Sequence, residues 1–209
     1  MSLKWEFSEK MLEKIIYRVR ESDFLVNLTL SAPWGKERMD NMVRLVSRYI
    51  NEKDKILDIG CGVCDVAKSL VDSGFDVTAL DVKDISIHKD ITPVVYDGEK
   101  IPFENDSFDV AFLITVLHHI KEPEKLLREA KRVSKRIIII EDIYESNFQK
   151  LLTYLMDSLI NFEFIDHPHS NKSDKEWKKE FKKQGLKLLD FKKEPFWKYF
   201  LSGIYYLAK

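Results

Sequence analysis

The stretch that most constrains this chain is residues 55–66, KILDIGCGVCDV. It opens with a short apolar run, typical of a buried strand, and then turns at Gly60-Cys61-Gly62. After the turn the apolar residues recur at helical spacing, which indicates a helix. Glycine lets the backbone take a positive φ and lets a ligand approach closely, and a helix start offers unpaired N–H groups. A strand, a glycine turn and a helix in this order predict a ligand-binding corner.

A second predicted strand strengthens this interpretation. Residues 75–80, FDVTAL, form an apolar run that ends on Asp81, about twenty residues beyond the glycines. In a βαβ unit, a carboxylate at that spacing lies beside the glycine turn and binds a ribose diol. The simpler alternative is that the glycines only make a tight turn. The terminal acid favours a ligand that carries a nucleoside.

The rest of the chain alternates strands and helices. Strands are predicted over 55–59, 76–81, 93–96, 108–114, 136–141, 186–193 and 203–208. Helices are predicted within 4–31, over 36–50 after a break at 31–35, and over 65–73, 123–134, 148–163 and 174–184. The last helix has an N-cap at Ser173, an acid at Glu176 and a stop at Gly185. This alternation predicts an α/β fold with a doubly wound, mostly parallel seven-stranded sheet and an N-terminal helical cap.

Length and composition fit a single domain of 209 residues. We divide it into a helical cap (1–50), a cofactor-binding core (51–145) and a substrate-side region (146–209). The net charge of −1 argues against general binding to nucleic acid or to a membrane surface. Two cysteines do not suggest a disulfide-stapled secreted protein. No signal-peptide pattern or bilayer-spanning apolar run is seen, so we expect a cytoplasmic protein.

Four segments together resemble the class I S-adenosylmethionine-dependent methyltransferases, especially the small-molecule branch that includes quinone-biosynthesis enzymes. They are LDIGCG (57–62), TALDV (78–82), DGEKIPFENDSFDVAFLITVLHHI (97–120) and EPEKLLREAKRVSKRIIIIED (122–142). The resemblance implies a Rossmann-like methyltransferase fold, S-adenosylmethionine as cofactor, and a last strand inserted antiparallel between its neighbours. It also implies that the N-terminal helices form a lid, although they could equally just cover one end of the sheet. The family usually has glycine where this chain has Cys64, which bears on how closely the cofactor can approach.

The resemblance implies a role for each residue of the cofactor cleft. Asp58 would orient the glycine loop or face the methionine amine, unless it only caps local N–H groups. Asp81 would accept both ribose hydroxyls. Asp97 would accept the adenine amino group, with a plain Asp-Gly turn as the alternative. The other expected cofactor contacts are Gly60, Cys61 and Gly62 through their backbone, Val82 against the adenine, Gly98 through its backbone, and Thr115 beside the methionine portion.

Candidate contacts for the methyl acceptor, expected to be a small and partly apolar molecule, lie around the same cleft. Methyl transfer from a sulfonium depends mainly on alignment, and a base is needed only when the nucleophile must lose a proton. His119 is the candidate base. The alternative is that one of His118 and His119 packs inside and the other is solvated. The candidate substrate-side residues are Trp34, Asp142, Tyr144 and His167, with Glu141 as a further rival. The histidines lack a ligand spacing that would predict a metal site.

Other functions share part of this pattern. Cys61 and Cys64 form a C-x-x-C between a strand and a helix, as in thioredoxin-like redox proteins, but the chain continues through more α/β units than that fold has. A nicotinamide-dependent dehydrogenase would have a third glycine at position 65, where Asp65 would repel a pyrophosphate. The N/D-P-P-Y/F signature of nucleic-acid base methylases is absent after the fourth strand. A degenerate methyltransferase fold that binds without turnover is the non-enzymatic alternative.

Overall fold

The structure, a computed structural model, describes residues 33–161, 170–196 and 200–209. The helix predicted within 4–31 and the candidate residue His167 lie outside these ranges. The helices are α1 (Pro33–Val46), α2 (Asp65–Asp72), α3 (Pro123–Val133), α4 (Asn147–Asn161) and α5 (Asp174–Lys183). The strands are β1 (Lys55–Ile59), β2 (Asp76–Asp81), β3 (Val94–Val95), β4 (Phe108–Ile114), β5 (Ser134–Ile143), β6 (Lys187–Phe196) and β7 (Phe200–Ala208). Within the described ranges, no helix is long and apolar enough to cross a bilayer.

The seven strands form one sheet in the order β3-β2-β1-β4-β5-β7-β6. The first five strands are parallel, and Leu57 at the middle of β1 pairs with Thr78 on one side and Ala111 on the other. The strand β7 runs antiparallel to both of its neighbours. The predicted doubly wound, mostly parallel sheet is therefore confirmed, as is the antiparallel insertion that the family resemblance implied.

Both faces of the sheet are covered, which explains why its central strands are apolar at almost every position. Alternate residues of β1 point to opposite faces, so that Leu57 joins one core cluster and Ile56 joins the other. The first cluster packs under α3 and α5 and contains the fully buried Trp177. The second packs under α1 and α2 and includes Leu45. Because the described helices cover both faces, we expect a ligand site at the carboxyl ends of the parallel strands.

Several predicted bounds need correction. The helix α1 begins at Pro33, so residues 33–35 belong to the helix and not to the predicted break. Proline is well suited to the first turn of a helix because the N–H that it lacks would be unpaired there. The same helix ends at Val46, short of residue 50, and the strands β5, β6 and β7 are longer than predicted.

The start and end of α5 agree with the sequence. The Ser173 side chain accepts from the Glu176 backbone N–H and the Glu176 carboxylate accepts from the Ser173 backbone N–H, which completes the predicted capping box. The chain leaves the helix at Gly185, where φ is +67°.

Candidate functional site

The glycine turn after β1 lies at the carboxyl end of the parallel strands, which is where α/β sheets bind ligands. The backbone N–H of Gly60 donates to the Leu80 carbonyl at 2.8 Å and ties the turn to β2. Gly60 has a φ of +72°, and a Cβ at that position would lie 2.6 Å from Cγ2 of Val116. Only glycine fits there without displacing its neighbour. Gly62 also has a positive φ, but a Cβ on it would meet no atom within 4 Å. Its backbone therefore faces open space.

Asp81 connects the end of β2 to this turn. One carboxylate oxygen accepts from the backbone N–H of Gly62 at 2.8 Å, and the other accepts from the N–H of Val82 at 2.7 Å. A carboxylate oxygen has two lone pairs, so the oxygen bound to Gly62 can accept a further hydrogen bond from a ligand. The other oxygen also accepts a long hydrogen bond from the Lys83 N–H, at 3.4 Å. The predicted spacing of acid and glycines thus corresponds to direct contact between them.

Asp58, near the end of β1, carries an unusual carboxylate. The residue is only 3% exposed, and within the described part of the chain its Oδ2 atom has no hydrogen-bond partner. Burial and the nearby charge of Asp81 raise the pKa of Asp58 to about 7. A buried polar atom without a partner is rare in native structures because it is costly. An ammonium group bound at this point would supply the missing donor and compensate the charge.

The loop after β3 contains the residues expected beside an adenine. One oxygen of Asp97 accepts from the N–H groups of Glu99 and Lys100, which lower the pKa of its carboxyl. Asp97 therefore stabilises a turn, as the alternative interpretation expected. Its contact with adenine stays a prediction. Gly98 has a φ of +82°, and a Cβ on it would lie 3.4 Å from Cγ1 of Val82. Because Val82 is 50% exposed, the two residues present a small apolar surface next to Asp81.

The turn after β4 is held by a buried carboxylate. Glu141, at the end of β5, is fully buried and accepts from the backbone N–H groups of Val116 and Leu117 at 3.0 and 2.7 Å. Its second oxygen lies 2.6 Å from Nδ1 of His118, which is only 2% exposed. His118 therefore belongs to the interior. The His119 ring lies over it at 4.1 Å and is only partly buried.

The expectation that Glu141 contacts the substrate is wrong, because its side chain is fully buried. It instead holds the loop that contains Thr115, which has a φ of +53° and donates its N–H to the Ile140 carbonyl at 2.7 Å. The sequence signal for this role was an acid directly after the four isoleucines of β5. An acid next to a fully buried strand segment needs several donors.

Comparison with known proteins decides the family. Residues 57–137, which begin in the middle of β1 and include the glycine turn, Asp81 and β4, match the family model described as "Methyltransferase domain". The matched segment is a class I methyltransferase domain sequence. S-adenosylmethionine is the cofactor of this class, and the residues around Asp58 and Asp81 suit it.

Individual proteins agree with this assignment. A demethylmenaquinone methyltransferase of Paenarthrobacter aurescens is 32% identical over 126 residues, which cover 56% of this chain and 49% of that protein. The aligned part spans about half the length of several of the curated relatives that it matches. The magnesium protoporphyrin IX methyltransferase of Synechocystis, solved with bound SAH, has a TM-score of 0.61 at 14% identity, covering 95% of this chain and 94% of that chain. The [4+2]-cyclase SpnF has a TM-score of 0.63 at 14% identity, covering 81% and 80%. At such identities the structures show a common fold.

The candidate acceptor contacts of the methyltransferase domain are dispersed. Asp142 accepts from Arg38 and from Ser202, both at 3.1 Å, and so ties α1 to β5 and β7. Tyr144 donates its hydroxyl to Glu176 at 3.2 Å. Trp34 lies in the first turn of α1, and its side chain is outside the described part of the structure.

Tyr144 does line a groove, whereas Asp142 does not. The groove has a volume of about 450 Å³ and lies between the segment after β5, the start of α5 and β6. Its walls are polar and of mixed charge, and are formed by Tyr144, Glu145, Ser146, Asn147, Ser173, Asp174, Lys175 and Lys193.

Cys64, which stands where the methyltransferase family usually has glycine, has a backbone conformation typical of glycine. Its φ is +66°, the left-handed conformation that favours glycine, and its side chain is fully buried against Ala67, Ala79 and Ile91. The sulfur therefore points into the interior, away from open solvent.

Proposed function

We propose that the chain transfers a methyl group from S-adenosylmethionine to a small, partly apolar acceptor. The observation that carries this proposal is the contact between Asp81 and the Gly62 N–H, with the unpartnered oxygen of Asp58 close by. We match three features of the site to the polar parts of an S-adenosyl amino acid. They are the Asp81 carboxylate for the ribose, the open backbone at Gly62, and the Asp58 oxygen that lacks a donor.

Each group has a distinct task in holding the cofactor. Asp81 accepts the ribose hydroxyls with its remaining lone pairs, while its bonds to Gly62 and Val82 keep it fixed. Asp58 accepts the ammonium group of the methionine portion. Val82 and Gly98 supply an apolar surface for a flat base. When bound, S-adenosylmethionine supplies an electrophilic methyl group. The protein contributes alignment of this group with the acceptor, which can account for several kcal/mol of catalysis.

The acceptor side favours a ligand with apolar parts. The helix α4 follows the carboxyl end of β5, and its side chains Phe148 and Leu151 are 67% and 58% exposed. Exposed large apolar side chains beside a ligand-binding edge favour an apolar ligand. The names of matched relatives, which include demethylmenaquinone and ubiquinone-biosynthesis methyltransferases, support an acceptor related to quinones. We propose His119 as the group that accepts a proton from such an acceptor, because its ring is only partly buried.

A second candidate is binding without methyl transfer. The fold is shared with a protein described as a [4+2]-cyclase, and a fold does not determine its reaction. The dehydrogenase alternative is less well supported, because Asp65 stands in the first turn of α2 with its carboxylate 2.6 Å from His88. An anion there repels a pyrophosphate.

Calorimetric titration with S-adenosylhomocysteine, with NADH titrated in parallel, tests the cofactor. We expect micromolar or tighter binding of the former and none of the latter. Transfer is then measured with methyl-labelled S-adenosylmethionine, with a demethylated naphthoquinol and a catechol as acceptors. Label in either organic product supports the proposal. Tight cofactor binding without labelled product from any acceptor tried would favour the binding function.

A further inference from the structure

The only two cysteines of the chain lie together in the cofactor loop. The sulfur atoms of Cys61 and Cys64 are 3.3 Å apart, and both thiols are free. Cys61 also stands directly before Gly62, whose N–H binds Asp81. All the thiol chemistry of the chain is therefore concentrated in the loop to which we assign cofactor binding.

The backbone turn at this point brings the two cysteines close to the separation that a disulfide spans. The N–H of Cys64 donates to the carbonyl of Cys61 at 2.9 Å, which closes a four-residue turn. The ends of such a turn have Cα atoms less than about 7 Å apart, close to the 4.4–6.8 Å that disulfides span. The sulfur atoms need to approach by roughly 1 Å to reach the usual bond length of about 2.0 Å. No rearrangement of β1 or α2 is needed.

The two thiols differ in pKa and in exposure. Cys64 stands at the N-cap of α2, and a helix start stabilises a thiolate. The hydrogen bond between the thiols lowers the pKa of Cys64, while the same bond and burial raise the pKa of Cys61. Cys64 is fully buried and Cys61 only partly, so a reagent in solution reaches Cys61 first.

We infer that Cys61 and Cys64 form a reversible disulfide that controls access of the cofactor to its loop; this inference rests on the function proposed above. The oxidant is a low-molecular-weight disulfide. Cys61, the thiol that the reagent can reach, loses its proton, attacks the small disulfide as a thiolate and forms a mixed disulfide with release of one small thiol. The raised pKa of Cys61 makes this first step slow. The Cys64 sulfur then attacks the Cys61 sulfur and releases the second. Two protein thiols and one small disulfide thus give one protein disulfide and two small thiols, and the two thiol protons leave with the reagent sulfurs.

The disulfide should weaken cofactor binding because it displaces Cys61. Cys64 is anchored by the start of α2 and by its buried contacts, so the bond is closed mainly by movement of Cys61. The Cys61 N–H now donates to the Leu80 carbonyl at 3.2 Å, and the next residue, Gly62, binds Asp81. A shift of roughly 1 Å at Cys61 disturbs both contacts, and with them the alignment of the loop and the ribose acid.

The test compares the full chain after incubation with dithiothreitol and with oxidised glutathione. Intact mass spectrometry and thiol titration report the disulfide, as a loss of two hydrogens and of both free thiols. Calorimetry with S-adenosylhomocysteine then reports affinity in each form. We expect the oxidised protein to bind roughly tenfold more weakly or worse, and dithiothreitol to restore the original affinity.

The Cys61→Ser variant is the matched control. It keeps the buried Cys64 alone, so its mass and its own affinity should not respond to oxidised glutathione. Persistent glutathione adducts or an unchanged mass in the wild type would overturn the inference, and so would a disulfide with unchanged affinity. If the reduced wild type fails to bind S-adenosylhomocysteine, the proposed function fails. The mass measurement would still decide whether the disulfide forms.

Discussion

The Asp81 carboxylate accepts a hydrogen bond from the Gly62 N–H at 2.8 Å, so that the acid ending β2 fixes the turn that follows β1. The turn is thereby set in place by the same side chain that we assign to the ribose. Such preorganisation reduces the cost of ordering the loop when a ligand binds. It also means that a change at Asp81 acts on both the loop and the ligand.

Replacement of Asp81 by Asn should weaken binding of S-adenosylhomocysteine. The variant keeps the size of the side chain but loses its charge and replaces one acceptor by a donor. Hydrogen bonds to charged groups contribute about 1.5–3 kcal/mol each, so the dissociation constant should rise by roughly ten- to a hundredfold. Calorimetric titration measures this change.

Asp76→Asn is the control for this variant. Asp76 is exposed and begins the same strand at its opposite end, so the affinity should remain that of the wild type. Wild-type affinity in Asp81→Asn would show that the ribose is bound elsewhere.

The two glycines of the turn should respond differently to alanine. In Gly60→Ala the new Cβ would lie 2.6 Å from Cγ2 of Val116, at a φ of +72°. Left-handed strain of about 1–2 kcal/mol and overpacking of about 1–3 kcal/mol should both lower the free energy of unfolding. Denaturant titration measures the sum. The double variant with Val116→Ala should recover the overpacking part.

Gly62→Ala is the informative comparison, because a Cβ there meets no atom within 4 Å. Its free energy of unfolding should fall only by the left-handed strain of about 1–2 kcal/mol. Its affinity for S-adenosylhomocysteine should nevertheless fall, because the methyl group occupies the space in front of the open backbone. Equal stability losses in the two variants, together with normal binding by Gly62→Ala, would show that the open backbone at Gly62 does not face the cofactor.

The buried carboxylate of Glu141 should be essential for stability. Glu141→Ala leaves the N–H groups of Val116 and Leu117 and the His118 ring without their acceptor. Each buried donor that is left without its acceptor costs about 1–3 kcal/mol. Thermal or denaturant unfolding measures the loss. Glu145→Ala serves as the exposed control and should cost less than about 1 kcal/mol.

Substitutions of the two adjacent histidines should have different effects, one on stability and the other on catalysis. His118→Gln should destabilise the protein, since its ring is buried against Glu141. His119→Gln should leave both stability and affinity for S-adenosylhomocysteine near wild type, and should reduce kcat with an acceptor that must lose a proton. Wild-type kcat over the whole pH range in His119→Gln would remove it as the base.

Asp58 should make the stability of the protein fall as the pH rises. Its pKa in the folded state is raised to about 7 from an ordinary value of 3.8. A group with a raised pKa contributes fully below its unfolded pKa, and the contribution is lost as the pH rises towards the folded value. Above neutral pH, Asp58→Asn should therefore be more stable than the wild type, by on the order of 1–3 kcal/mol. This advantage should vanish near pH 4.

Asp109 provides a control of opposite sign. Lys135 and the Lys55 N–H lower its pKa, so its contribution is present at neutral pH and is lost as the pH falls. Asp109→Asn should cost stability at pH 7 and little in acid. Unfolding curves of both variants between pH 3 and 8 test the two signs together. Parallel curves for the wild type and Asp58→Asn would show that Asp58 is ionised normally.

The parts of the site that the sequence predicted are those set by local backbone geometry. Gly60, Gly62 and Asp81 follow from strand, turn and spacing, because a parallel βαβ unit leaves the chain few ways to connect them. The start of α5 followed from its capping box for the same reason. In contrast, α1 was predicted to begin three residues too late, because Pro33 and Gly35 look like breakers unless the helix start is known.

The remaining features depend on contacts between distant parts of the chain. The role of Glu141 requires that the ends of β4 and β5 lie side by side, and the role of Val116 requires that it lie over Gly60. The spare oxygen of Asp58 is visible only once every neighbour is placed. The left-handed conformation of Cys64 could not be predicted from the sequence, because cysteine does not favour a positive φ.

The insertion of β7 between β5 and β6 has a consequence for the order in which the chain assembles on the ribosome. β1 to β5 can pair in the sequence in which they are synthesised, apart from the crossing from β3 to β4. β6 emerges next, but among the described strands its one neighbour in the sheet is β7, which follows it. Until β7 is made, β5 exposes an unpaired edge beside its four consecutive isoleucines. That nascent edge is the point at which the unfinished chain is most exposed to aggregation or to capture by a chaperone.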